Sequence, residues 1–143
     1  MTDREAAHRL VETVTAGWEA DPESDVVWAG DFEGRRGVRM RQTVRDSTTV
    51  WFDPGDLTVA VEAYVVSLPA EAPASVLRQC LRRNAGVRRL HFALDRHGDL
   101  LLVGRIPVGE LSAHELETTL AEAYQLVEQA FPPLVAALRE KNP

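Results

Sequence analysis

Cysteine, lysine, histidine and aromatic residues are all scarce in this chain, and it has no long apolar run. A single cysteine, Cys80, stands among 143 residues. It excludes an internal disulfide, and alone it cannot supply the roughly four ligands of a structural zinc site. No stretch reaches the roughly 18 apolar residues of a membrane span. The N-terminal MTDREAAHRL lacks the basic-then-apolar order of a secretory signal. These absences predict a cytoplasmic protein with no membrane segment. Lysine occurs once, at Lys141, so the other basic residues are arginines, in a chain of formal net charge -6 and pI about 5.2. That acidity argues against non-specific nucleic-acid binding, which is driven by neutralising phosphates with a basic surface.

What is present describes an ordinary globular domain. The hydrophobic share is 45% and the charged share 27%, both near the averages for such proteins. At this length one domain, spanning 1–143, is expected.

Thr2-Asp3-Arg4-Glu5 has the form of a capping box, in which two side chains satisfy orphan backbone donors at a helix start. Ala7, Leu10, Val11, Val14 and Trp18 follow at helical spacing, and Asp21-Pro22 ends the pattern, predicting a helix over 1–20. From 25 to 68 the periodicity changes to that of strands. Here β-branched and aromatic residues dominate, and EGRRG, RDS and DPGD interrupt them as turns, predicting an antiparallel meander of three or four strands. Within it, GVRMRQTVRD alternates, with Val38, Met40 and Val44 against Arg39, Arg41, Thr43 and Arg45. Asp53-Pro54-Gly55-Asp56 suits a tight turn in which Gly55 takes a positive φ, pairing Thr48–Phe52 with Leu57–Val66.

Val76, Leu77, Cys80 and Leu81 then mark a helix over 73–84, closed by Asn84-Ala85-Gly86 in the left-handed conformation of helix ends. Leu90, Phe92 and Leu94, the turn Arg96–Asp99, and LLLVGRIPV predict a hairpin over 89–107. Ser112-Ala113-His114-Glu115 is a second capping box. It opens a helix over 112–141 along Leu116, Leu120, Ala123, Tyr124, Val127 and Phe131, which Pro132 and Pro133 should kink or restart. The order α-β(3-4)-α-β-β-α predicts an α+β fold, an antiparallel sheet with helices packed on one face.

TTVWFDPGDLTVAVEAYVVSLP, LRRN at 81–84, and FALDRHGDLLLVGRIPVGELSAHELETTL together resemble the actinobacterial members of the YbjN family of sensory-transduction regulators. The likeness runs from about Trp28 to about Leu138. It implies the type III secretion chaperone kind of α+β fold, in a domain that binds other polypeptides, and it brings no catalytic motif. A shared fold does not establish a shared cargo.

Chemistry-bearing patterns are sparse. His8, His91, His97 and His114 are scattered, without a second ligand at a metal-like spacing, and Asp95, His97 and Asp99 read as an exposed turn. Cys80 lies on an apolar stripe, where a thiol behaves as a small hydrophobe. There is no Walker, GxGxxG or GxSxG sequence. No cofactor and no metal is expected, and the protein is read as non-enzymatic.

Two arginine groups, Arg35, Arg36, Arg39, Arg41 and Arg45, and Arg78, Arg82, Arg83, Arg88 and Arg89, would form an anion-binding surface only if they gathered on one side. Otherwise they are the solvated side of strand and helix. Interleaved exposed aromatics for base stacking are not evident, which further disfavours nucleic acid. Trp51, with Val59 or Tyr64, would give the sheet an apolar patch if it points away from the helices, and such patches mark partner contacts. The expected function is polypeptide binding through the sheet face, with a homodimer as one form. Trp51, Val59, Tyr64, Arg39 and Arg41 are the candidate contact residues. The alternative is a small-molecule or anion-responsive regulator using the arginines.

Overall fold

Glu33 and Gly34 both have positive φ, 52° and 80°. Two consecutive residues in that region form the tight turn whose twist suits paired strands. In the computed structural model, which describes residues 3–140, this turn joins β1 (Val26–Phe32) to β2 (Arg35–Arg41). Before it lies α1 (Asp3–Ala20). After it come β3 (Ser47–Pro54), β4 (Thr58–Val66), α2 (Ala74–Asn84), β5 (His91–Leu94), β6 (Leu100–Pro107), a single 3-10 turn and α3 (Ala113–Glu140). Thr2, the first member of the N-terminal capping box, lies outside the described residues.

All strand pairs are antiparallel, in the order β1-β2-β3-β4-β6-β5. α2 carries the chain from β4 to the far edge, and β6 returns between them. α1 packs on β1, β2 and β3; α3 crosses β3 and β4 and touches both other helices; α2 lies beside β5. The α+β fold read from the element order is the one observed.

Period-two alternation sorts each strand into a core side and an outer side. Val38 and Met40, Val50 and Phe52, Val59, Val61, Ala63 and Val65, and Leu102 and Ile106 are buried with Ala7, Val11, Val76, Cys80, Leu116, Val127 and Leu134 in one cluster. Phe52 is wholly inaccessible; burying such a side chain contributes about 1.5–3 kcal/mol. Cys80 belongs to this core, and burial, opposed by the charge of Arg83, raises its pKa.

Several local expectations are corrected. β2 stops at Arg41, and residues 43–46 form a bend rather than more strand. The cause is Glu128 on α3, whose carboxylate accepts Gln42 Nε2 at 2.7 Å, the Thr43 amide at 2.9 Å and the Thr43 hydroxyl. Pro54 is still in β3, opposite Val59, and positive φ falls on Gly34 and Gly98 rather than Gly55. The Gly55 amide instead donates to the Thr58 carbonyl at 2.8 Å and closes the loop without that conformation.

α2 ends at Ala85 in a right-handed conformation, with φ -67°. Asn84 is used elsewhere: its Nδ2 donates to the Phe92 carbonyl at 3.0 Å, and its Oδ1 accepts the Phe92 amide at 2.7 Å. Ser112 caps α3 as expected, its hydroxyl accepting the Glu115 amide at 3.0 Å. Pro132 and Pro133 do not restart that helix, which continues to Glu140. Burial of Ala130, Leu134 and Ala137 on both sides of the pair holds it together.

Candidate binding face of the sheet

The side of the sheet turned away from the core cluster is where the aromatics and arginines meet. Register places them. Trp28 lies opposite Arg39, Gly30 opposite Gly37 and Phe32 opposite Arg35 across β1 and β2. Gly37 lies opposite Trp51 across β2 and β3, and Trp51 opposite Glu62 across β3 and β4. The two glycines leave room for the rings: a Cβ on Gly30 would be 2.6 Å from the Trp28 ring, and one on Gly37 would be 2.6 Å from Trp51 and 2.8 Å from Trp28.

The rings form one group. Trp28 and Trp51 meet edge to face at 6.4 Å between centroids, and Phe32 lies 6.2 Å from Trp51. Such aromatic pairs add about 0.5–1.5 kcal/mol beyond area burial. Two guanidinium groups lie over the rings, Arg35 4.6 Å from the centroid of Trp51 and Arg39 5.4 Å from that of Trp28. Arg35 also pairs with Glu62 at 3.5 Å. Phe32 remains 56% exposed.

Beyond Glu62 the same side continues as a cleft of about 550 Å³ floored by Ala60 and Gly104 and flanked by Arg89, His91 and Arg105. Arg35, Arg39, Arg41 and Arg105 outnumber the carboxylates Asp53 and Glu62 on these strands. The face is therefore basic on an acidic protein.

The expected contact residues divide. Trp51 and Tyr64 occupy the outer side, and Arg39 and Arg41 stand exposed there. Val59 does not join them: it is 0% exposed and in the core. Positions 59 and 64 are five apart, so on one strand they must point to opposite sides. Tyr64 is 48% exposed and bonds to the Ser67 hydroxyl, apart from the ring group. Trp28, Phe32 and Arg35 join the ring group and were not among the residues expected on this face. Their signal was the alternation of Trp28, Gly30 and Phe32 before Glu33-Gly34, which puts all three on one side once the turn is placed at that pair. The aromatics interleaved with arginines that the sequence did not show are thus present.

The arginine groups do not converge. Arg36 turns inward, 8% exposed, donating from Nε to the Thr15 hydroxyl at 2.9 Å and lying 3.6 Å from Asp31. Arg45 holds the Tyr64 carbonyl at 2.9 Å, donates to the Val65 carbonyl and sits 5.0 Å from the centroid of Phe131. Arg88 and Arg89 are bound to Glu115 at 2.8 and 2.9 Å.

The Asp95 carboxylate accepts the amides of His97 and Asp99, an ordinary turn arrangement. His8, by contrast, does have a second ligand atom at hand. His8 and Glu12, four apart on α1, come together with Asp31, one ligand atom of each lying within 4.8 Å of the others. The i, i+4 spacing was the signal for that grouping. Arg36 competes for the Asp31 carboxylate.

Helices on one side of a six-stranded antiparallel sheet define an α+β domain. A chain of the heterodimeric ExoU-SpcU complex from the type III secretion system of Pseudomonas aeruginosa superposes with a TM-score of 0.56, covering 91% of this chain and 98% of that one at 16% identity. At that identity the likeness concerns the fold. Residues 15–136 match the YbjN family, described as "Putative bacterial sensory transduction regulator". The chain belongs to the YbjN family.

Uncharacterized proteins of Mycobacterium tuberculosis and Mycobacterium leprae are 33% identical over 81 residues, which is 57% of this chain and 44% of theirs. The match thus spans less than half the length of these curated relatives. Among the described residues no helix is long and apolar enough to cross a membrane.

Proposed function

We propose that this domain is a non-catalytic, polypeptide-binding regulatory module, and that its outer sheet face takes an extended, acidic segment of another protein. The observation that carries this reading is the ring group of Trp28, Phe32 and Trp51 with Arg35 and Arg39 stacked on it. Aromatics and arginine are the side chains that dominate binding hot spots. A carboxylate-bearing strand would exchange Glu62 for its own acid groups at Arg35 and place apolar side chains against the rings. The cleft over Ala60 and Gly104 would continue its path toward Arg105.

The family and the chaperone-like fold support a protein partner. A two-fold dimer through this face would bring two copies of a net-basic patch together, a like-charge juxtaposition that favours a partner of different sequence.

Fluorescence anisotropy with labelled peptides that alternate Glu with Leu or Tyr tests the proposal, with peptides carrying Lys in place of Glu as controls. Acidic peptides should bind, weaken as salt rises, and lose at least about tenfold in affinity when Trp51→Ala is combined with Arg39→Ser. Equal binding of the basic peptides, or an unaffected double variant, would sink the reading.

A further inference from the structure

On the helical side of the molecule, where the end of α1 meets the middle of α3, lies a cleft of about 410 Å³. Trp18, Met40, Leu120 and Tyr124 supply apolar wall, and Asp21, Asp25 and Glu117 stand around it. Among the described residues no arginine or histidine lines it. Asp21 is engaged by the Glu23 amide at 2.9 Å. The side chains of Asp25 and Glu117 make no hydrogen bond or ion pair among the described residues. Arg41, on the neighbouring strand, donates to the Ser24 carbonyl at 3.2 Å and is not among the lining residues. The Tyr124 hydroxyl titrates above its usual range, because of its desolvation first and then the charges of Glu128 and Asp25.

We propose that this cleft binds a small organic cation, a primary ammonium carried on an aromatic or branched aliphatic body. The walls would take the body out of water, while Asp25 and Glu117 would accept the ammonium hydrogens. The rings of Trp18 and Tyr124 add the attraction of an aromatic face for a cation. The charged groups an anion would meet here are carboxylates. At this cleft the small-molecule reading of the protein therefore takes the opposite sign, because the charged side chains that line it are carboxylates. This site shares no residue with the sheet face and stands or falls separately from it.

Isothermal titration calorimetry with 2-phenylethylamine tests the inference, using 2-phenylethanol as the neutral counterpart of the same shape and 3-phenylpropanoate as the anionic one. The amine should bind one to one. The alcohol should bind about tenfold more weakly, the ratio expected of one charge-assisted hydrogen bond, and the carboxylate weaker still. Asp25→Asn with Glu117→Gln, both polar and near-isosteric, should remove the preference for the amine while the far-ultraviolet circular dichroism is unchanged. Trp51→Ala should leave amine binding intact. The inference is overturned by equal binding of amine and alcohol, by full amine affinity in the double variant, or by no heat of binding at several millimolar amine.

Discussion

Gly37 lies directly across the β2–β3 ladder from Trp51, and a Cβ there would come within 2.6 Å of the Trp51 ring. The same Cβ would be 2.8 Å from Trp28. The empty side of this glycine is what lets two tryptophans from different strands meet over β2. The ring group therefore depends on a residue that contributes no contact chemistry of its own.

Gly37→Ala is thus expected to destabilise the protein although alanine suits a strand better than glycine. The ring displacement costs about 1–3 kcal/mol, against a gain of roughly 0.5–1 kcal/mol from the lost flexibility of glycine. Near-ultraviolet circular dichroism should lose the signature of the coupled tryptophans, and the urea midpoint should fall. An unchanged spectrum and midpoint would show that the rings move aside freely.

Arg36 and Thr15 join β2 to α1 inside the protein, and their contributions should be unequal. The Thr15 hydroxyl also donates to the Val11 carbonyl at 2.7 Å, so it stays satisfied in Arg36→Met. In Thr15→Val the buried Arg36 Nε loses its acceptor, at a cost of about 1.5–3 kcal/mol. Urea unfolding should rank Thr15→Val as the more harmful single change. The double variant should cost less than the sum, because no buried guanidinium N–H is then left without its acceptor.

How much of this was legible follows from the range of the interactions. Element order, the core parity of Val38 and Met40, the Ser112 cap and the buried Cys80 all rest on local periodicity or a local hydrogen bond, and they could be read directly. The bend after Arg41 could not, because it is set by Glu128, some 85 residues away. Trp28 and Phe32 joined Trp51 only once the Glu33-Gly34 turn fixed the register. Val59 was misplaced for a simpler reason: its parity relative to Tyr64 already put it on the other side.

Asn84 closes the free edge of β5, since both its hydrogen bonds go to the backbone of Phe92. β5 ends the sheet, and its outward backbone groups would otherwise be open to another strand. Asn84→Ala should lower stability by about 1–3 kcal/mol and speed hydrogen exchange at the Phe92 amide more than at neighbours paired to β6. Asn84→Asp keeps the acceptor and loses the donor, so its effect should be intermediate. Unaltered exchange in Asn84→Ala would remove this role.

Glu115 couples the stability of the fold to acid. Burial favours its neutral form, but the hydrogen bonds and charges of Arg88 and Arg89 outweigh that, and its pKa is lowered on folding. A carboxylate depressed in the folded state contributes stability that is fully present above its unfolded pKa, about 4.3, and is lost as pH falls through the lower folded value. Glu128 is depressed as well, through its hydrogen bonds from Thr43 and despite its desolvation, so it adds a loss of the same sign in the same direction. Urea midpoints should therefore be level from neutral pH down to about 5 and decline below it. Glu115→Gln should start lower and decline less steeply, because the group that took up the proton is gone. An acid limb of equal slope in Glu115→Gln would mean that the Arg88 and Arg89 contacts do not hold the fold.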